Sequence, residues 1–214
     1  MTQRDSEHTN RRAYFCQAAE SWDQKYSTPE LEEFLEKLIP TFGLQPGQTV
    51  LDAGTGTGVL IPFLLKAIGP FGSITAIDSA EKMVQVCAAK YSHLRNVTVA
   101  LQDVEELNLP SESFDAVTCF GLFPHLENME KALYHMHCVL KPGGRLVIAH
   151  ALSSDEIKAH HGSASPTVAG DVLPEKAEMR RLLRSVGFAE IRINDEQGCY
   201  LCLSTKTRAL VHSF

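Results

Sequence analysis

The chain is short of positive charge. Its 214 residues carry 20 Lys and Arg against 26 Asp and Glu, a formal net charge of −6. No basic stripe stands out, which disfavours nucleic acid or an anionic membrane as the main partner. Long apolar runs are missing too: nothing approaches the ~18 residues of a membrane span. The first residues, MTQRDSEHTNRR, are polar and include acids. Neither a secretory signal nor a transit peptide is expected from them, and a cytoplasmic protein is the default. Cysteine is scattered rather than clustered, at Cys16, Cys87, Cys119, Cys138, Cys199 and Cys202, so reduced thiols are expected. Cys199 and Cys202 form a C-x-x-C in a strand-like run, where residues three apart point to opposite faces. That spacing defeats chelation and disulfide formation alike. No metal is expected. Apolar content of 44% and charged content of 21% suit one well-buried domain, taken as residues 1–214.

What the chain does have is Thr49–Gly58, TVLDAGTGTG. Val50 and Leu51 read as a buried parallel strand closed by Asp52. Gly54, Gly56 and Gly58 allow a sharp turn and a close approach to a ligand. Val59–Ile68 then reads as a helix, with Pro62 tolerated in its first turn. The dinucleotide pattern G-x-G-x-x-G would need glycine at 59, where Val59 stands. The spacing here is G-x-G-x-G after an acid, and an acid suits a cationic or zwitterionic ligand better than a pyrophosphate. This stretch resembles motif I of the class I S-adenosylmethionine-dependent methyltransferases, whose ligand carries an amino group and a sulfonium.

Further along, SITAID (Ser73–Asp78) reads as the second strand. Asp78 ends it where an acid usually accepts hydrogen bonds from ribose hydroxyls. Ser79 is placed to cap the next helix, Ala80–Tyr91, which carries Met83. Val97–Leu101 is the third strand, and the resemblance puts the adenine at Asp103 and Val104. Phe114–Cys119 is the fourth strand, with Phe120 at its tip. Its F-D-x-V start, small residue and apolar run to His125 resemble motif IV of the family. Pro124 stands where a second histidine or similar residue is common. A helix over Asn128–Leu140 is followed by Lys141–Gly144, a stop-and-turn signal. The L-K-P-G-G-R-L entry to the fifth strand, Arg145–Ala151, is similar to the group that includes the ubiquinone and menaquinone biosynthetic methyltransferases.

A helix ending at Gly187 and two strands, Ile191–Asn194 and Cys199–Ser204, complete the chain. The resemblance implies an α/β, Rossmann-like doubly wound sheet. Its seven strands are mostly parallel, in order 3-2-1-4-5-7-6, with the last antiparallel and helices on both faces. Residues 1–12 are expected to fray. Within 1–45, the aromatic residues Tyr14, Phe15, Trp22 and Tyr26 suggest a helical lid over cofactor and substrate. Residues 152–173 are polar and too long for a plain connector, so an active-site loop is expected there, carrying His160 and His161.

The expected cofactor is S-adenosyl-L-methionine, held by Asp52, Gly54, Thr55, Gly56, Gly58, Asp78, Ser79, Met83, Asp103, Val104 and Phe120. Methyl transfer needs alignment, exclusion of water and, for a hydroxyl, amine or carbon nucleophile, removal of a proton. Histidine suits that last task near neutral pH. His150 is placed first, then His125, then His160 and His161. An apolar rim (Phe120, Leu122, Phe123, with Phe15 and Trp22 above) and contacts from Tyr14, His160 and His161 point to a small, flat or hydrophobic acceptor. The N-P-P-Y type tetrapeptide of many amino-directed nucleic-acid methylases is absent, Cys119–Leu122 standing there instead. A homodimer is compatible with the sequence. A non-catalytic adenosylmethionine-binding protein and an NAD(P)-dependent oxidoreductase are the competing readings.

Overall fold

A computed structural model describes residues 3–207. Its centre is β1, Thr49–Ala53, whose residues Val50 to Ala53 are all buried. Complete burial follows from cover on both faces: Val50 faces one apolar layer while Leu51 and Ala53 face the other. Beside β1 lie β2 (Ser73–Asp78) and β4 (Phe114–Phe120), both parallel to it. β3 (Val97–Leu101) extends the sheet beyond β2. β5 (Leu140–His150) extends it beyond β4. The hairpin β6 (Phe188–Glu196) and β7 (Cys199–Lys206) closes that side, β7 running antiparallel to both neighbours. The order is β3-β2-β1-β4-β5-β7-β6. This is the expected topology.

One layer is built by α2 (Pro29–Leu38), α3 (Ile61–Ile68) and part of α4 (Glu81–Tyr91), burying Leu35, Leu38, Ile61, Leu64, Ile68 and Cys87. α5 (Met129–Val139) and α7 (Lys176–Ser185) build the other with Leu133, Met136, Met179 and Leu183. Lys141–Gly144 does not stop the chain outside the sheet. It sits inside β5 as an irregularity, Phe114 pairing with Leu140 and Ala116 with Arg145. Gly143 supplies the positive φ of 80° that this kink needs.

Three expectations are corrected. Of residues 1–12, expected to fray, residues 1 and 2 lie outside the described residues and the rest are helical: α1 runs unbroken over Gln3–Tyr26, its face of Phe15, Cys16, Ala19 and Trp22 packed on Ala80, Met83 and Val86. The 152–173 segment is not a plain loop, because α6 occupies Ser154–Ala164. A capping box starts it, Ser153 and Glu156 each accepting from the other's backbone N–H. Ser79 does not cap α4. The N-cap is Ala80, and Asp78 Oδ1 takes the Ala80 N–H at 2.8 Å.

Candidate functional site

Strands running parallel leave their carboxyl ends together, and there a cavity of about 530 Å³ opens. The turn after β1 forms part of its floor. Thr55 N–H donates to the Ile77 carbonyl at 2.9 Å and Gly56 N–H to Asp78 Oδ2 at 2.9 Å. The turn is thereby tied to the end of β2. Gly54 has φ 69°, and a Cβ there would lie 2.7 Å from the Leu122 side chain. Gly56 also has positive φ and lines the cavity, yet a Cβ there would meet nothing within 4 Å. The space over Gly56 is open to the cavity.

Of the expected cofactor residues, Gly54, Thr55, Gly56, Asp78, Ser79, Met83, Asp103, Val104 and Phe120 line this cavity. Asp52 and Gly58 do not. Asp52 lies under the floor, 1% exposed, accepting from Thr55 Oγ1 at 2.7 Å and Thr118 Oγ1 at 2.8 Å. Burial drives its carboxyl up to about 6 against those two hydrogen bonds, with Asp78 pushing the same way. Gly58 serves packing: a Cβ would come 2.6 Å from the Tyr91 ring and 2.9 Å from Cys87 Sγ. Asp78 is also pushed up by burial, although the N–H groups of Ala80, Gly56 and Ser79 oppose the shift. Asp103 spends Oδ1 on the Glu105 N–H at 2.8 Å and Oδ2 on Arg12 Nη2 at 2.5 Å.

Helix α1 crosses the cavity. Its Arg11, Arg12, Tyr14, Phe15, Trp22 and Tyr26 all line it. Asp23 anchors the far end, accepting from Thr57 Oγ1 at 2.5 Å and Lys90 Nζ at 2.8 Å. Phe123, expected on the rim, is instead 1% exposed within the core.

The histidines converge. His125 and His161 have ring centroids 4.8 Å apart, and His160 follows at 5.9 Å from His161. Phe15 meets His125 edge to face at 5.0 Å, and Phe120 lies 6.3 Å from His150. His125 Nδ1 is 2.7 Å from Asp171 Oδ2, and His161 Nδ1 is 2.7 Å from the Asp171 carbonyl. Carboxylate and carbonyl oxygens only accept, so both imidazoles carry a proton on Nδ1, and in the neutral form of either ring Nε2 holds the lone pair. Burial lowers the His125 pKa, against the pull of Asp171. Burial lowers His150 as well, to about 3, and its buried Nδ1 has no hydrogen-bond partner. His150 stays neutral and is a weak base. Asp171 itself is held below the ordinary carboxylate range: burial raises it, but hydrogen bonds from His125 and Arg11 outweigh that.

Asp171, Arg11 and Arg12 were not legible as site residues. Nothing in the spacing links Asp171 to His125 forty-six positions away, and both arginines lie where fraying was expected. An acid in the segment that bears two histidines was the one available signal. Among the described residues no group of three or more His, Cys, Asp or Glu is arranged to hold a metal ion, and no helix is long and apolar enough to cross a membrane.

Residues 50–144 match the family described as methyltransferase domain. The chain is 37% identical over 114 residues to a ubiquinone/menaquinone biosynthesis C-methyltransferase of Hydrogenovibrio crunogenus, covering 51% of this chain and 44% of the relative. It is 38% identical over 113 residues to a demethylmenaquinone methyltransferase of Staphylococcus aureus, covering 52% and 46%. The chain thus spans less than half the length of the curated relatives it matches. Among solved structures it is similar to a SAM-dependent methyltransferase from Aquifex aeolicus, with TM-score 0.70 and 28% identity, covering 87% of this chain and 98% of that one. Family match, sheet order and cavity agree: residues 50–144 carry a methyltransferase domain, and the cofactor implied by that match and by the likeness to the Aquifex aeolicus structure is S-adenosylmethionine.

Proposed function

We propose that the chain transfers a methyl group to a small, weakly acidic or amine-bearing acceptor held under α1, with His125 as the base. The observation that carries this is His125 itself. It lines the cavity with Nδ1 bonded to Asp171 Oδ2 at 2.7 Å, which leaves Nε2 as a proton acceptor.

The cavity fits the cofactor. Open space above Gly56, a carboxylate fixed by two backbone N–H groups at Asp78, and Met83 beside it suit an adenosyl ribose. Gln102, Asp103 and Val104 suit the purine ring, and Thr55 with Gly54 faces the amino-acid end. S-adenosylmethionine, when bound, supplies a methyl on a cationic sulfonium that departs as a neutral thioether. Every other task falls to the chain. Phe15, Phe120 and Leu122 exclude water and flatten the acceptor's site. Asp171 orients His125 and stabilises the imidazolium after it takes a proton. His161, locked by the Asp171 carbonyl, offers a second acceptor nitrogen for the same acceptor group. His150 contributes shape and a neutral hydrogen-bonding edge. The acidic chain and walled cavity support a small molecule over a nucleic acid.

Isothermal titration with S-adenosylmethionine, S-adenosylhomocysteine and NAD, repeated on Asp78→Ala, tests the cofactor half. Adenosyl binding without NAD binding, lost in the variant, is expected. Absence of adenosyl binding in the wild type overturns the proposal. Acceptor screening then compares wild type with His125→Gln, for which a loss of about 10²-fold or more in kcat is expected.

A further inference from the structure

Arg11 stands on α1, 160 positions from Asp171, yet it grips that carboxylate directly. Nη2 lies 2.7 Å from Oδ1, and Nε lies 3.2 Å from both oxygens. Oδ2 meets His125 at the same time. The Asp171 side chain is 2% exposed, so with α1 in place its carboxylate is held by protein groups and not by bulk water. Phe15, four residues along the same helix face, sets its ring against His125. α1 therefore touches the dyad at the carboxylate and at the imidazole.

We propose that Arg11 is a positioning residue that joins closure of α1 to readiness of the base. With α1 across the cavity, Arg11 fixes and neutralises the Asp171 carboxylate, and His125 keeps a free Nε2. With α1 lifted, the buried carboxylate has His125 as its remaining charge partner and holds it protonated, where it cannot accept a proton. The inference rests on the reading of His125 as the base.

The physics is that of a shared buried charge. A carboxylate out of water needs a cation or several hydrogen bonds. Arginine is a permanent cation with a planar fork that reaches both oxygens, whereas histidine becomes a cation only by taking a proton. The groups facing His125 are Arg11 from α1, Asp171 from the segment after α6, His160 and His161 from α6, and His150 from β5. Burial, His161 and Arg11 favour the neutral ring, while Asp171 favours the charged one. Removing Arg11 takes away a restraint and frees the opposing acid in one step. Glu127 Oε1, 3.4 Å from Arg11 Nη1, gives the guanidinium a second acid that holds it in place.

The test is an NMR titration of the His125 ring in the full chain saturated with S-adenosylhomocysteine, the signal assigned by its loss in His125→Gln. Arg11→Ala and Arg11→Gln are expected to raise the midpoint by about one pH unit or more, tenfold in the protonation constant. Arg11→Lys is expected to restore most of the wild-type value. Adding Asp171→Asn to Arg11→Ala is expected to bring the midpoint back down. A midpoint unmoved in both Arg11→Ala and Arg11→Gln overturns the proposal. Trp22, the chain's one tryptophan, lies on α1 at the cavity and reports the latch independently. Release of S-adenosylhomocysteine followed by its fluorescence is expected to quicken severalfold in Arg11→Ala, and unchanged release also counts against the latch. Full transfer activity in His125→Gln would sink the base reading alone, since the titration measures the coupling whether or not His125 acts in transfer.

Discussion

The Gly56 N–H donates to Asp78 Oδ2 across 2.9 Å, so the glycine turn and the second strand's terminal acid form one unit. The other oxygen takes the Ala80 N–H. In Asp78→Asn an NH2 group must face one of those donors, and Asp78→Ala leaves both without an acceptor. A buried donor without a partner costs about 1–3 kcal/mol. Both variants are expected to unfold at lower temperature and to lose the rise in Tm that S-adenosylhomocysteine gives the wild type. A full ligand-induced rise in Asp78→Ala would place the ribose elsewhere.

Asp52 gives a prediction with a defined pH window. Its carboxyl titrates at about 6 when folded and near 3.8 when exposed. Between those values the folded state binds more protons than the unfolded one, so this group's contribution to stability falls as pH rises through the window. The amide that Asp52→Asn introduces cannot ionise, and its oxygen can still accept from Thr55. The variant is therefore expected to gain on the wild type between pH 4 and pH 7, by roughly 2 kcal/mol. Urea unfolding at those two pH values measures it; a pH-independent difference would mean that Asp52 is solvated.

The sheet was legible because its signals are local. Val50–Leu51, Ile74–Ile77 and Val117–Cys119 are apolar runs bounded by turns, and burial on two faces demands that pattern. The cavity-lining positions of Gly54, Gly56 and Asp78 were legible for the same reason, since they sit where strands end. The proposed base was harder. The position of His150 at a strand end is plain in sequence, but the burial that depresses it is a tertiary property. His125 gains its value from Asp171 and Arg11, neither of which is near it along the chain. α6 could have been found: S-S-D-E carries the Ser–Glu spacing of a capping box at Ser153 and Glu156.

Two glycines of the same turn are expected to fail differently. Gly54 and Gly58 have φ of 69° and 90°, so an alanine at either costs about 1–2 kcal/mol in backbone strain. At Gly54 the new Cβ displaces Leu122, which lines the cavity. At Gly58 it meets Tyr91 and Cys87, away from the cavity. Gly54→Ala should weaken S-adenosylhomocysteine binding beyond its effect on stability. Gly58→Ala should lower stability while the folded fraction binds nearly as before. Calorimetric titration beside urea unfolding separates the two, and equal losses of affinity would contradict the assignment.

His150 carries the last prediction. Its imidazole has a folded pKa of about 3 against an ordinary 6.5, because it is buried and Nδ1 has no partner. Below pH 6.5 the unfolded chain takes up a proton that the folded chain refuses, so stability is lost as pH falls from 6.5 toward 3. The slope from this one group approaches about 1.4 kcal/mol per pH unit. His125 acts in the same direction, and Asp52 opposes both below pH 6. A comparison of wild type with His150→Phe isolates the group, since the other two remain in both. The variant is expected to lose less stability between pH 6.5 and pH 4. Equal losses would mean that His150 is protonated in the folded chain, and it would then have to be weighed against His125 as the base.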